Sequence, residues 1–568
     1  MANTSTGNNS TGKTGNIDIN AAAIFIFICV MVSLYIRTSA PAFSLNDSPE
    51  TAAAAATLGI GHAPGYPLYM LACKAALLVF PGNPAFALSV FSSVLSAAVL
   101  ALVFIMAGRV NRRFFFFSPV LLAFIPGFWE LSSDAKGGIY VLNLLLLSVQ
   151  LLAFEKLLKK YSGKYFLLLM FVYGLSLANH WPTAATMVFI PAAASWIAVS
   201  NKQSGHILTG IAFAALGLTP YLYLPIRAWA GPLMNMGDPR GLDAVLDVIF
   251  RRMYPNSLYL SPGSILSQAK AVFVFFAASL SIFAFFPLLS IFKKNKEAPK
   301  FQLLLWAAAA INIITIVVFN RTDAMFEEFG MIFVLPSCLA LSLLAPAGME
   351  IVVDSIKTRA PGAVFMAALV IMALICAAEA YISSDRNNDF LGYDHGMNIL
   401  MTPQTGGNLI VTGDYNVFPA QFLSICLAKR PDLRIRRGGN ADYTEKAALP
   451  AYTTASSEKI VKVFAGDYRA LKQGIIFELG AKDRSEKPLK AHFWKMYSYR
   501  GMIGGLEPRD SMENYLLSSY SSSMLLQSED LAATGRAVEA KYLLNLSMAV
   551  KGLKAADAVE RVQEKVRE

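Results

Sequence analysis

Apolar runs separated by short polar gaps fill the first two thirds of the chain. The runs at 21–36, 84–107, 115–131, 138–156, 165–180, 183–200, 207–229, 270–292, 301–319, 330–346 and 362–383 each approach the roughly 20 residues that carry a helix across a bilayer core. They predict an α-helical polytopic membrane protein with about eleven transmembrane helices. The basic clusters Arg109/Arg112/Arg113, Lys156/Lys159/Lys160/Lys164, Lys202, Lys293/Lys294/Lys296/Lys300 and Lys357/Arg359 fall on alternate loops, which makes those loops cytoplasmic. The polar stretch after the first run, the segments 129–138, 179–182, 230–268 and 320–330, and everything beyond Tyr381 then share the opposite face. A further apolar run from Pro64 to Phe80 breaks the alternation if it spans. It is expected to lie in, or dip into, the outer interface.

The same pattern divides the chain. Residues 1–20 are Asn, Thr, Ser and Gly with little apolar content and read as a disordered tail. Residues 21–383 form the membrane domain, with 39–83 as its first extracytoplasmic loop. No charged region precedes the run at 21–36 and no clear cleavage site follows, so it is expected to be a retained span rather than a signal peptide. From 384 to 512 the composition becomes that of a soluble α/β domain, with a strand-like Asn408 to Thr412 before Gly413-Asp414. Residues 513–568 read as a helical segment, whose Tyr515 to Ala549 stretch has the spacing of one tetratricopeptide-like hairpin.

Composition narrows the chemistry. The 568 residues are 55% hydrophobic and 15% charged, against about 25% charged in an ordinary soluble domain. The net charge of +11 sits largely in the loop clusters, so it reports topology and no nucleic-acid partner is expected. Cys29, Cys73, Cys338 and Cys376 lie in apolar stretches and Cys426 alone in the polar third, which offers neither a disulfide framework nor a CxxC metal site. No phosphate-binding GxxxxGK[ST] loop and no GxGxxG dinucleotide turn occurs. A transferase on the outer face would therefore need its donor delivered by a lipid, such as a polyprenyl-phosphate sugar.

The sharpest stretch is Asn46-Asp47-Ser48-Pro49-Glu50, an alanine run, and Gly61-His62-Ala63-Pro64-Gly65-Tyr66-Pro67-Leu68-Tyr69, all at the outer mouth of the bundle. Ionisable groups are costly there unless used. Asp47 and Glu50 could take a proton from an acceptor hydroxyl, or could simply cap a helix as an Asp-x-x-Glu box with Pro49 in the first turn. His62 with its prolines fits a rigid interfacial turn as well. Arg227 could bind an anion or snorkel to the surface, Asn179-His180-Trp181-Pro182 could be an aromatic-belt turn, and Arg251-Arg252 a solvated helix face.

Taken together, Asp47 to Glu50 with Leu58 to Tyr69, Tyr140-Val141-Leu142-Asn143, Gly174 to His180, Pro220 to Arg227, Asn235 to Arg240, Gly413 to Pro419 and Arg430-Pro431-Asp432-Leu433 resemble the protein O-mannosyltransferase-like membrane family related to transmembrane protein 260. The resemblance implies a GT-C type bundle whose first extracytoplasmic loop carries the catalytic acid. It implies Asp47 as general base with Glu50 as its supporting carboxylate, and a donor site shaped by His62 and Tyr66; Lys136 and His180 are further candidates for that donor and phosphate site. Arg227 is the candidate for the leaving phosphate, and Asp238, Arg240 and Asp414 are acceptor-side candidates.

The chain departs from the pattern at Pro49, and at Lys136, where relatives carry an acid. The function expected is glycosyl transfer, of mannose or a similar sugar, from a polyprenyl-phosphate donor to a protein hydroxyl or glycan by inverting displacement. The partners are thus the lipid-linked sugar, its acceptor and membrane lipid. The two acids could hold a divalent ion, Mg²⁺ or Mn²⁺, or work without one. The setting expected is a bacterial inner membrane with the site and the C-terminal domain in the periplasm. The alternative is a transporter or flippase of lipid-linked or anionic solutes; against it, no pair of broken helices related by a repeat is seen.

Overall fold

The computed structural model describes residues 14–45, 47–254, 262–293, 299–319, 323–356, 359–438, 449–454, 468–481, 492–503 and 511–551. Seven helices among them are long and apolar enough to cross a membrane: Ala21–Thr38, Pro84–Val110, Gly138–Lys159, Gly205–Trp229, Pro299–Val318, Ile332–Ser355 and Ala363–Ser384. A bent pair, Gly163–Ala185 and Phe189–Ser200, supplies an eighth if it is counted as one span. The chain is a multi-pass membrane protein, and among the described residues some of the predicted apolar runs form broken rather than uninterrupted helices.

The shortfall has local causes. The run at 115–131 breaks at Pro126 into Phe117–Ala123 and Pro126–Ser132, because proline cannot continue the hydrogen-bond ladder of the turn before it. The run at 270–292 splits after Pro262–Leu280 into short turns around Pro287. In the bent pair, His180 takes a non-helical conformation two residues before Pro182, and the arms diverge by 111°. Phe189–Ser200 has 12 residues, a length of about 18 Å and short of the hydrocarbon thickness. Gly163 lies against the His206 ring and Tyr161 bonds that ring at 2.6 Å, so the pair returns to the face it left.

That face gathers the basic loops. Arg109 pairs with the fully buried Glu155, which also meets Lys159 at 2.6 Å. Arg113 pairs with Asp354, and Lys293 with Glu350 and Asp354. Lys294, Lys296 and Lys357 lie outside the described residues. Glycine makes one contact of this bundle possible: a Cβ on Gly174 would meet the Ala214 carbonyl at 2.1 Å, and one on Gly217 the Phe171 carbonyl at 2.3 Å, the small-residue approach familiar between membrane helices.

At the opposite end a ten-residue helix, Ser48–Thr57, is buried almost throughout. Ala52 to Ala55 are fully buried, and their small side chains let Pro67–Val79, Pro84–Val110 and Asp414–Leu427 all pack on it. Pro67–Val79, at 13 residues, is too short to span; it buries Tyr69, Met70 and Cys73 against the bundle and leaves Leu78 and Val79 exposed.

The C-terminal part, expected from its composition to be soluble, contains a five-stranded sheet, β1 Asn408–Val411, β2 Arg434–Arg437, β3 Ala451–Thr453, β4 Tyr468–Gln473 and β5 Ile476–Ala481, in the order β2-β1-β3-β5-β4. β1 runs parallel to β2 and β3, and β5 antiparallel to β3 and β4. Asp414–Leu427 follows β1, and a helical hairpin, Ser511–Ala533 with Ala537–Lys551, closes the described part. Arg386 ties the two parts together: its buried guanidinium meets Glu130 of the bundle and Asp389 and Glu513 of the soluble part at 3.0–3.1 Å.

Candidate active site

The helix Ser48–Thr57 is aligned by charge at both ends. Its carbonyl end is covered by cations: Arg227 donates from Nε to Leu58 O at 2.6 Å, and Lys74 to Ala56 O at 2.8 Å. Its amino end carries Asp47 and Glu50, the sign that a helix dipole favours.

The capping-box geometry does not form. Asp47 occupies the N-cap position but makes no side-chain cap hydrogen bond. Glu50 turns away from the N-cap and accepts from the His62 backbone N–H at 2.6 Å, with its other oxygen 2.5 Å from His62 Nδ1. A carboxylate only accepts, so Nδ1 donates to Glu50, and the ring's other nitrogen is Nε2. The Tyr66 hydroxyl lies 2.9 Å from it. Burial first, then Tyr140, pushes the Tyr66 phenol well above its usual value. The Tyr66 ring stacks on His180, whose carbonyl, freed at the kink, accepts from Asn143 at 2.9 Å.

Asp47 remains the accessible member, with 22% of its side chain exposed against 1% for Glu50. Lys136 sits on its Oδ2, and His62 Nε2 is 3.9 Å away. Burial, helped by the charge of Arg251, pushes the Lys136 ammonium down to about 7, while the charge of Asp414 pulls the other way. Asp134 accepts from the Ser48 hydroxyl at 2.6 Å and from the backbone N–H groups of Lys136 and Gly137, and so pins the Lys136 loop to the start of the Asp47 helix.

Six of the expected residues therefore converge: Asp47, Glu50, His62, Tyr66, Lys136 and His180. Asp414 stands close by, since its charge reaches Lys136. It lies just past the carboxyl end of β1, paired at 3.0 Å with Arg437 at the end of β2, the edge of a parallel sheet where ligands bind. Arg227 does not join them: it is at the far end of the ten-residue helix, about 15 Å away, with its guanidinium used on the last carbonyls. Asp238 and Arg240 pair with each other at 2.9 Å on an exposed turn and do not join the cluster either. Asp134, Arg251 and Arg437 were not singled out as site residues from the sequence; the clues were the polar gap Ser132-Ser133-Asp134 and the adjacent arginines Arg251-Arg252.

Ligand atoms of Asp47, Glu50 and His62 lie within 4.8 Å of one another, which is close enough for one cation. Each is already engaged: Asp47 by Lys136, Glu50 by His62, and His62 by Tyr66.

Residues 47–206 match the family model of the protein O-mannosyl-transferase TMEM260 N-terminal domain. The resemblance read from the motifs is borne out. The mouse protein O-mannosyl-transferase TMEM260 is 28% identical over 251 residues, 41% of this chain and 34% of the mouse protein. The chain thus matches about a third of the length of that curated relative. The crystal structure of ArnT from Cupriavidus metallidurans in the apo state is similar at a TM-score of 0.49 and 10% identity, covering 82% of this chain and 98% of that one. The TMEM260-like segment holds all six converging residues and Asp134, and excludes Arg227, Asp238, Arg240, Arg251 and Asp414.

Proposed function

We propose that the chain is an integral membrane glycosyltransferase of GT-C type that moves a sugar from a polyprenyl-phosphate donor to a hydroxyl of an extracytoplasmic protein or glycan. The observation that carries this reading is a part-open carboxylate, Asp47, beside a buried Glu50–His62–Tyr66 chain, inside the TMEM260-like segment. The name of the mouse relative favours mannose and a protein hydroxyl. In the reaction the acceptor hydroxyl gives its proton to Asp47 while its oxygen bonds the anomeric carbon. The bond from that carbon to the phosphate oxygen breaks, and its electron pair leaves on the phosphate.

Lys136 keeps Asp47 ionised until the hydroxyl arrives. Glu50 holds His62, which holds Tyr66 as the wall of the site. One base and one leaving group suffice, so the anomeric centre inverts. The test gives purified protein in nanodiscs polyprenyl-phosphate mannose of one known configuration with a Ser/Thr-rich peptide, and follows the first product by NMR. The opposite configuration is expected. Retention would overturn the single displacement.

A further inference from the structure

We propose that Arg251 is the anion-binding residue of this site and receives the phosphate group of the lipid-linked donor, a role that rests on the donor reading above. The argument is an inventory of charge. Arg227 is used on helix carbonyls, Lys136 sits on Asp47, Arg240 on Asp238, Arg252 on Asp247 and Arg437 on Asp414. A cation already neutralised by a carboxylate adds little attraction for another anion.

Arg251 differs. Among the described residues its half-buried guanidinium has neither a hydrogen bond nor an ion pair, and lies over the Tyr254 ring at 5.0 Å.

Its position is built. Val248, three residues earlier, is buried 3.6 Å from where a Cβ on Gly65 would sit, and the Ile249 carbonyl accepts from Trp181 Nε1 at 2.7 Å. The short helix Leu242–Ile249 is thereby clamped between the Gly65-Tyr66 turn and the His180-Trp181 kink. Arg251 follows it in a left-handed backbone conformation, φ 57°, which a non-glycine residue adopts at a cost and which recurs at ligand sites. Its charge reaches Tyr66, Lys136, Tyr140 and His180, which come from separate segments around the mouth. A guanidinium held there, with tyrosine hydroxyls nearby and no carboxylate of its own, suits a phosphate bound through charge-assisted hydrogen bonds.

The experiment measures binding of undecaprenyl phosphate, undecaprenol and inorganic phosphate to the full chain in detergent by native mass spectrometry, for wild type, Arg251→Gln, Arg251→Lys and Arg252→Gln. Wild type is expected to bind undecaprenyl phosphate and not undecaprenol. Arg251→Gln should weaken binding about tenfold or more, Arg251→Lys should recover part of it, and Arg252→Gln, at an exposed arginine already paired with Asp247, should bind as wild type. Melting temperatures check that each variant is folded. Unchanged binding by folded Arg251→Gln, or an equal loss in Arg252→Gln, overturns the assignment and leaves the donor reading standing. Inorganic phosphate held through Arg251 with no gain from the lipid keeps the anion site and contradicts the lipid-linked donor. No binding of either phosphate by wild type overturns both.

Discussion

The two ends of the bundle use the same residue types in opposite ways. At the end that gathers the basic loops, the inner end in the topology expected from them, Glu155, Glu350 and Asp354 each meet at least one cation from Arg109, Arg113, Lys159 and Lys293. Glu155 is fully buried, and charge there is balanced by neighbouring charge. At the outer end the buried Glu50 is met by a histidine, whose other nitrogen is met by a tyrosine. Asp47 stays part-open, and Arg251 has neither a hydrogen bond nor an ion pair among the described residues. A closed set of ion pairs fastens helices together. The other set, with Asp47 part-open beside Lys136 and Arg251 without a carboxylate of its own, leaves room for something that brings a hydroxyl and an anion.

The comparison is most sharply broken at Asp47. Asp47→Asn keeps the shape and removes the base, so transfer should fall about 100-fold or more at unchanged melting temperature. A variant that keeps its rate would make the outer end as structural as the inner one. Arg109→Met is the mirror experiment. It leaves the buried Glu155 with Lys159 alone, which should lower stability by about 3 kcal/mol while turnover per folded molecule stays the same.

The soluble part offers a third case, a buried group kept neutral. His395 is fixed between Asn416 at 2.7 Å and Tyr520 at 3.2 Å, and burial pushes it down to about 4. Its folded pKa lies below the unfolded value near 6.5, so the unfolded chain takes up the proton first. Stability should hold above about pH 6.5 and fall by up to about 3 kcal/mol as pH drops towards 4. His395→Gln should flatten that slope in pH-dependent melting curves.

The smallest effect is expected at Glu50. Glu50→Gln weakens a charged hydrogen bond worth about 1.5–3 kcal/mol, which should slow transfer roughly 10- to 100-fold. Tyr66→Phe added to it should cost little more, since both act through His62.

What was legible in the chain follows from distance along it. Asp47, Glu50, His62 and Tyr66 lie within twenty residues, in a polar gap where the bilayer makes ionisable groups conspicuous, and their grouping could be read directly. Whether Asp-x-x-Glu capped its helix or faced a substrate could not be, because both readings use the same spacing. Only the turn that brings His62 onto Glu50 separates them.

Arg227 misled for a related reason. An arginine ending an apolar run looks free on paper, whereas the fold spends it on the carbonyls of Thr57 and Leu58. Arg251 looked like half of a solvated pair, and what sets it apart from Arg252 is a left-handed turn and the clamp by Trp181, neither of which leaves a pattern in composition. The surplus of predicted spans has the same character: apolar content persists through Pro126 and the His180-Pro182 kink, and hydropathy is blind to where a helix bends.

The account stands or falls on whether the open outer end turns over a lipid-phosphate sugar. The direct measurement is consumption of a panel of synthetic polyprenyl-phosphate sugars by the purified full chain, with GDP-mannose and a polyprenyl-diphosphate sugar alongside. Consumption of one polyprenyl-phosphate sugar, with release of polyprenyl phosphate and no use of GDP-mannose, is the predicted result. A folded protein that consumes none of the polyprenyl-phosphate donors, or prefers GDP-mannose, would contradict it.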